Sequence, residues 1–426
     1  MSGVLVTGAA LLGGDQADLY VVDGRFADPS SADADVERVD AAGLIALPGL
    51  VDLHTHLREP GREDAETVET GTLAAARGGY TAVLAMANTK PVTDTGEAAE
   101  HVLELGRRHG ACQVVPIGAV SKGLAGAELA ELGLMARGAA GVRVFSDDGS
   151  CVADARLMRR ALEYVRAFDG CIAQHAQDPA LAGPDACCHE GEISGRLGLP
   201  GWPSAAEATI VARDVALAEL TGSRVHVCHV STAETVDVLR WAKGRGIDVT
   251  AEVTPHHLLL TTDEVTSYDP TYKVNPPLRP SEHVEAVREA LADGTIDAVA
   301  TDHAPHARHD KEHAFVDARP GMLGLETALA VVIEVMVRPG RLSWARVAEV
   351  MSITPGRIAR LAGQGRPLSV GEPANFVLVD PTARAVVDRE TSASLSRNNP
   401  WHGRELPDPV VATYWNGRAT YRRRAA

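Results

Sequence analysis

Eight short runs rich in Val, Ile and Ala recur along the middle of the chain, and this recurrence limits the fold more than any other feature. They read LIALPGLVDLH, TAVLAMAN, QVVPIGAVS, GVRVFSDD, CIAQHA, RVHVCHVS, IDVTAEVTPHH and DAVATDHAP. Apolar and polar residues do not alternate strictly in them, which is the pattern of strands buried on both faces. Helical stretches separate most of the runs: ETVETGTLAAARGG, AAEHVLELGRRHG, DARLMRRALEYVRAF, EATIVARDVALAEL, AETVDVLRWAKGRG and HVEAVREALADG. Several of these stop at Gly, which takes the backbone conformation that ends a helix. Strand–helix units in this number predict an α/β fold, a (β/α)8 barrel of the TIM type. The two ends read differently, as short strands and turns (VLVTGA, DLYVVDGRFAD and GLIALPG; PANFVLVDP and VVATYWNGRATY). They are expected to pair into one small composite β-sandwich. The predicted division is 1–48 for its first part, 49–364 for the barrel and 365–426 for its second part.

Charge narrows the partners. The 426 residues carry a formal net charge of -16, which argues against a general nucleic-acid or anionic-membrane surface. A few inward arginines can still receive an anionic substrate. No apolar segment is long enough to span a bilayer, and no early basic stretch leads into an apolar run as a signal peptide would. A cytoplasmic protein is expected. The six cysteines form no CxxC pair, so buried free thiols in a reducing compartment are the natural reading.

The chemistry-bearing residues gather at the strand ends. His54 and His56 lie two apart in VDLHTH, so an extended strand points both to one side. They sit at the C-terminal end of the first barrel strand, where barrel active sites are built. Strand four ends in Asp147-Asp148, strand five in His175, strand six in His229 and strand eight in Asp302. Singly, each has an ordinary explanation: an Asp caps the next helix, and a His is satisfied in a core. Five of eight strands presenting His or Asp at one rim is a different observation. Imidazole and carboxylate are the ligands of zinc, manganese and similar ions. Such an ion lowers the pKa of its water to about 7 and polarises a carbonyl. A carboxylate beside it can carry a proton to a leaving nitrogen, and Asp302 is the candidate for that shuttle.

At this point the motifs resemble those of a family. DLHTHLREPG, AMANTKP, FSDDG, CHVST, EVTPHHLLL, KVNPPLR, TDHAPH and RNNPWHG are similar to those of the bacterial-type dihydroorotases, in the amidohydrolase superfamily. They run in the family's order from about residue 45 to residue 403. The resemblance implies a barrel with a small composite β domain and one or two Zn2+ per subunit. It implies His54 and His56 as ligands of a first metal and Asp148, with Asp147 as the adjacent alternative, as the contacting or bridging carboxylate. His175 and His229 would hold a second metal, and Asp302 would be the catalytic acid–base and a metal contact. The implied substrate pair is dihydroorotate and N-carbamoyl-L-aspartate, in pyrimidine biosynthesis. Arg58, Asn88 and His306 would meet the ring carboxylate, Asn275 its amide edge, and backbone near Pro320 and Gly321 the ring itself. The loop 303–320 is expected to act as a lid. His226, His256 and His257 are read as supporting or core residues. A homodimer and association with aspartate transcarbamoylase follow from the same resemblance.

Two departures stand beside functional positions: Ala87 where the family pattern has Pro, and HAQD where it has HCED. Two rivals are weighed. Hydantoinase-like and dihydropyrimidinase-like relatives use a carbamylated lysine on strand four, but GVRVFSDDG has no lysine. A non-catalytic scaffold would not need its ligand positions filled, and here all are. Ring closure consumes a proton, so acid should favour the cyclic product.

Overall fold

The computed structural model describes residues 3–423. The eight runs form eight strands: Leu50–Thr55, Tyr80–Ala85, Gln113–Pro116, Val144–Phe145, Cys171–Gln174, Arg224–Val227, Val249–Val253 and Ala298–Val299. Neighbours pair in parallel throughout. Parallel bridges Gly118–Phe145 and Thr55–His303 close the circle between strands three and four and between strands eight and one. The strands bury both faces, as their composition predicted. In strand two, Leu84 belongs to the barrel interior with Leu53, Ile117 and Val144. Its neighbours Val83 and Ala85 belong to the layer beneath the helices. Period-two geometry requires this alternation.

The helices begin where side chains can satisfy free N–H groups. Thr67 caps Val68–Arg77 with Thr70 completing a capping box, Asp154 caps Ala155–Val165, and Thr232 caps Ala233–Gly244. Helical regions additional to those read from sequence include Leu132–Arg137, Glu192–Leu197 and the stretch of short helical pieces from Ala328 to Ile358. In Ala328–Val332 every residue is buried, so it lacks the one-sided apolar stripe that signals a helix. Among the described residues, no helix is long and apolar enough to cross a membrane.

The two ends of the chain meet in a separate eight-stranded sheet. Phe376–Val379 lies antiparallel to Ile45–Pro48, with Val377 opposite Leu47. The last N-terminal strand is thus shared edge to edge with the C-terminal segment. Phe376 and Leu378 face a small core with Val6, Leu19, Phe26 and Tyr414. Val377 and Val379 face the barrel layer. Phe376 stacks on Tyr414 at 4.4 Å between ring centroids, 2° from parallel, and touches Phe26 at 5.6 Å. Phe376→Ala is expected to remove about 3–5 kcal/mol of unfolding free energy, read from the denaturant midpoint. A loss below about 1 kcal/mol would mean that this small core contributes little to global stability.

Candidate active site

The strand tips converge. His54 Nε2 lies 3.3 Å from Asp148 Oδ1, and His56 Nε2 lies 3.3 Å from Asp148 Oδ2. His175 Nδ1 and His229 Nε2 are each 3.4 Å from Asp148 Oδ1. Asp302 Oδ1 is 3.1 Å from His56 Nε2 and 3.4 Å from His54 Nε2. All six residues are buried. Their donor atoms form two overlapping groups, His54–His56–Asp148 and Asp148–His175–His229, in each of which the atoms lie within 4.8 Å of one another. Asp148 is the member common to both. His229 (φ 35°) and Asp302 (φ 44°) hold left-handed backbone conformations, as does Arg58 (φ 60°). Such strain in non-glycine residues persists only where the surrounding structure enforces it.

The two adjacent aspartates have separate tasks. Asp147 accepts from the Val120 and Ser121 amides at 2.8 and 2.9 Å and from the Ser121 hydroxyl. It ties the exit of strand three to strand four, and Asp148 alone reaches the centre.

The imidazoles are oriented from behind. His54 Nδ1 meets Glu252 Oε1 at 2.9 Å, His56 Nδ1 meets Asn88 Oδ1 at 2.9 Å, and His175 Nε2 meets Gln177 Oε1 at 2.9 Å. An oxygen acceptor takes the N–H of each of these three rings, which turns the other nitrogen toward the carboxylates; His175 Nδ1 also stands 2.9 Å from His229 Nε2. His54 Nε2 is buried without a hydrogen-bond partner. Bare lone pairs facing carboxylate oxygens repel unless positive charge stands between them. Burial pulls the His54 pKa down, but Asp148 and Asp302 outweigh it and hold it well above the ordinary value. The same surroundings keep Asp148 and Asp302 well below the usual carboxylate range against the cost of burial. Glu252 is brought to about 2, because hydrogen bonds from His226 and His54 overcome its desolvation. The donor set and its excess negative charge therefore fit one or two divalent cations.

A cavity of about 190 Å³ opens onto this cluster, lined by Arg58, Asn88, Asn275, His306, Pro320 and Gly321 together with His56, Asp148, His175 and Asp302. The sequence-predicted contacts thus share one space the size of a small ring. His54 and His229 lie behind its wall. Arg58 Nε donates to Pro305 O at 3.1 Å, leaving its terminal nitrogens for an anion. Burial lowers its pKa to about 10, so it stays charged at neutral pH. His306 accepts no proton readily: burial and the nearby Arg58 and Lys311 charges push its pKa well down. Its Nε2 donates to Pro320 O at 2.8 Å. Asn88 also donates to Asp148 O at 3.2 Å, so its amide supports the cluster while lining the cavity. Gly321 N–H donates to Lys273 O and is unavailable to a ligand. The loop 303–320 reaches the cavity through His306, Arg319 and Pro320.

Some participants were not read from sequence. Arg319 lines the cavity, and Gln177 bridges His175 and Asn275. Asp52 accepts from Thr301 N and Oγ1 at 2.7 and 2.6 Å, fastening strand one to the approach of Asp302. Burial pushes the Asp52 pKa up to about 6. The signals available were position two after His175 for Gln177 and two before His54 for Asp52. His226 supports Glu252 at 3.0 Å, and His257 bonds to Thr254 Oγ1 and Pro276 O, consistent with supporting roles.

Solved structures share this architecture. An L-hydantoinase (dihydropyrimidinase) from Arthrobacter aurescens superposes with a TM-score of 0.86 at 27% identity, covering 98% of this chain and 96% of that one. A closed parallel barrel with this histidine–aspartate rim defines a cyclic amidohydrolase. Sequence comparison is more specific. The Dihydro-orotase-like family matches residues 43–235. A dihydroorotase of Streptomyces coelicolor is 59% identical over 99% of this chain and 98% of its own length. One of Mycobacterium tuberculosis is 55% identical over 98% of each. The chain belongs to the dihydroorotase family.

Proposed function

We propose that the chain catalyses the reversible, zinc-dependent interconversion of N-carbamoyl-L-aspartate and L-dihydroorotate in pyrimidine biosynthesis. The observation that carries this reading is the set of four imidazole nitrogens around Asp148, three of them on rings oriented by an oxygen acceptor on the far side, at the floor of a cavity that also holds Arg58. His54 and His56 would hold one ion, His175 and His229 a second, with Asp148 between them and Asp302 in contact. When bound, these ions supply a nucleophile at neutral pH and draw electron density from the amide carbonyl.

The protein's own groups supply the rest. Arg58, with Asn88, receives the ring carboxylate and fixes which carbonyl faces Asp148, with His306 beside them on the cavity wall. Asn275 meets the amide edge. Asp302, ionised against its histidines, takes the proton from the attacking water and delivers it to the ring nitrogen as the C–N bond breaks. Ring closure reverses each transfer. A hydantoinase-like preference is disfavoured by Asp148 standing where a lysine would be needed. The same reading carries a cytoplasmic homodimer, with aspartate transcarbamoylase as protein partner; native mass alone and mixed with that enzyme reads both.

Metal removal is the direct test. Chelation followed by buffer exchange is expected to abolish dihydroorotate hydrolysis, and added Zn2+ to restore it. Full activity in protein containing less than about one-tenth of an ion per chain would refute the metal mechanism.

A further inference from the structure

The RNNPWHG segment lies outside the barrel, yet one of its residues reaches the cavity wall. Asn398 is 4% exposed and uses its whole amide on two backbone segments that line the cavity. Its Nδ2 donates to Ala304 O at 2.9 Å and to Gly321 O at 3.0 Å. Its Oδ1 accepts from His306 N–H at 3.2 Å. Its own carbonyl accepts from Leu323 N–H at 3.1 Å. The two segments are therefore held at a spacing that the amide's reach defines. That spacing has little slack: a Cβ on Gly321 would meet Ala304 Cβ and His306 Nε2 at 2.8 Å. Arg58 is anchored on the same wall through Pro305 O.

We propose that Asn398 is a positioning residue that sets the two walls of the carboxylate pocket, so that the C-terminal segment governs substrate affinity. This rests on the dihydroorotase reading above. The inference predicts a division between binding and turnover, because among the described residues Asn398 bonds to His306, Ala304, Gly321 and Leu323 and not to the histidine–aspartate cluster.

Asn398→Asp separates the interactions. It keeps the acceptor for His306 N–H, removes both donors and sets a carboxylate oxygen against two carbonyls. Expected are a KM for dihydroorotate raised about tenfold or more, the order of a lost buried hydrogen bond, and a kcat within about threefold of wild type. Zinc per chain should be unchanged. Asn398→Ala removes the same bonds without added charge and should act alike if the charged variant does not fold. Asn399→Ala is the control: it breaks the neighbouring bond to Trp401 N–H but touches neither wall, and should leave KM unchanged. The proposal is overturned if Asn398→Asp and Asn398→Ala retain wild-type KM, if they lower kcat and zinc content at constant KM, or if Asn399→Ala raises KM equally. A wild-type chain that neither turns over nor binds dihydroorotate by calorimetry would overturn this inference together with the assigned substrate. An active wild type with indifferent Asn398 variants would overturn this inference alone.

Discussion

Asp302→Asn is expected to lower kcat for dihydroorotate about a thousandfold or more while metal content stays near that of the wild type. The amide keeps the carboxylate's shape, so the burial and the left-handed backbone at this position are preserved. It removes the one basic oxygen that stands 3.1 Å from His56 and 3.4 Å from His54 and also lines the cavity. General acid–base transfer contributes about 10²–10⁴-fold, and under the proposed mechanism one group serves both the attacking water and the leaving nitrogen. Elemental analysis beside initial rates is the measurement. A variant retaining more than about one-tenth of wild-type kcat would reassign the proton shuttle.

Arg58→Met is expected to collapse discrimination between dihydroorotate and dihydrouracil, which lacks the carboxylate. Methionine keeps much of the stem and loses the guanidinium, whose Nε is already engaged by Pro305 O. Truncating one partner of a buried charged pair costs about 2–5 kcal/mol, so kcat/KM for dihydroorotate should fall by about two to three orders of magnitude. The rate with dihydrouracil should change little. An equal fall for both substrates would show that Arg58 supports the cavity rather than reading the carboxylate.

The barrel was legible because its strands are buried on both faces, which forces dense Val, Ile and Ala runs and leaves a readable composition. The terminal sheet was legible because both ends read as short strands and turns of similar pattern, although more than 300 residues separate Leu47 from its partner Val377. The helical pieces from Ala328 to Ile358 escaped because a segment buried all round has no periodic contrast. The site followed the same logic. His54, His56, His175, His229 and Asp302 stood out as polar residues ending apolar runs. Glu252 and Asp52, inside such runs, did not, since nothing local distinguishes an orienting carboxylate from a satisfied core residue.

Residue order by itself determined the barrel's strand count, the pairing of the two ends, the family and the rim on which chemistry-bearing side chains stand, because these follow from local periodicity and motif. Only the tertiary structure decided that Asp148 rather than Asp147 is the common member, which acceptors turn the imidazoles inward, and that Asn398 reaches the cavity wall. Those facts depend on closure of the barrel, which sets Asp52 against Thr301 across 249 positions and Asn398 against Ala304 across 94. Which individual side chains meet at such separations is set by packing, and no local pattern encodes it.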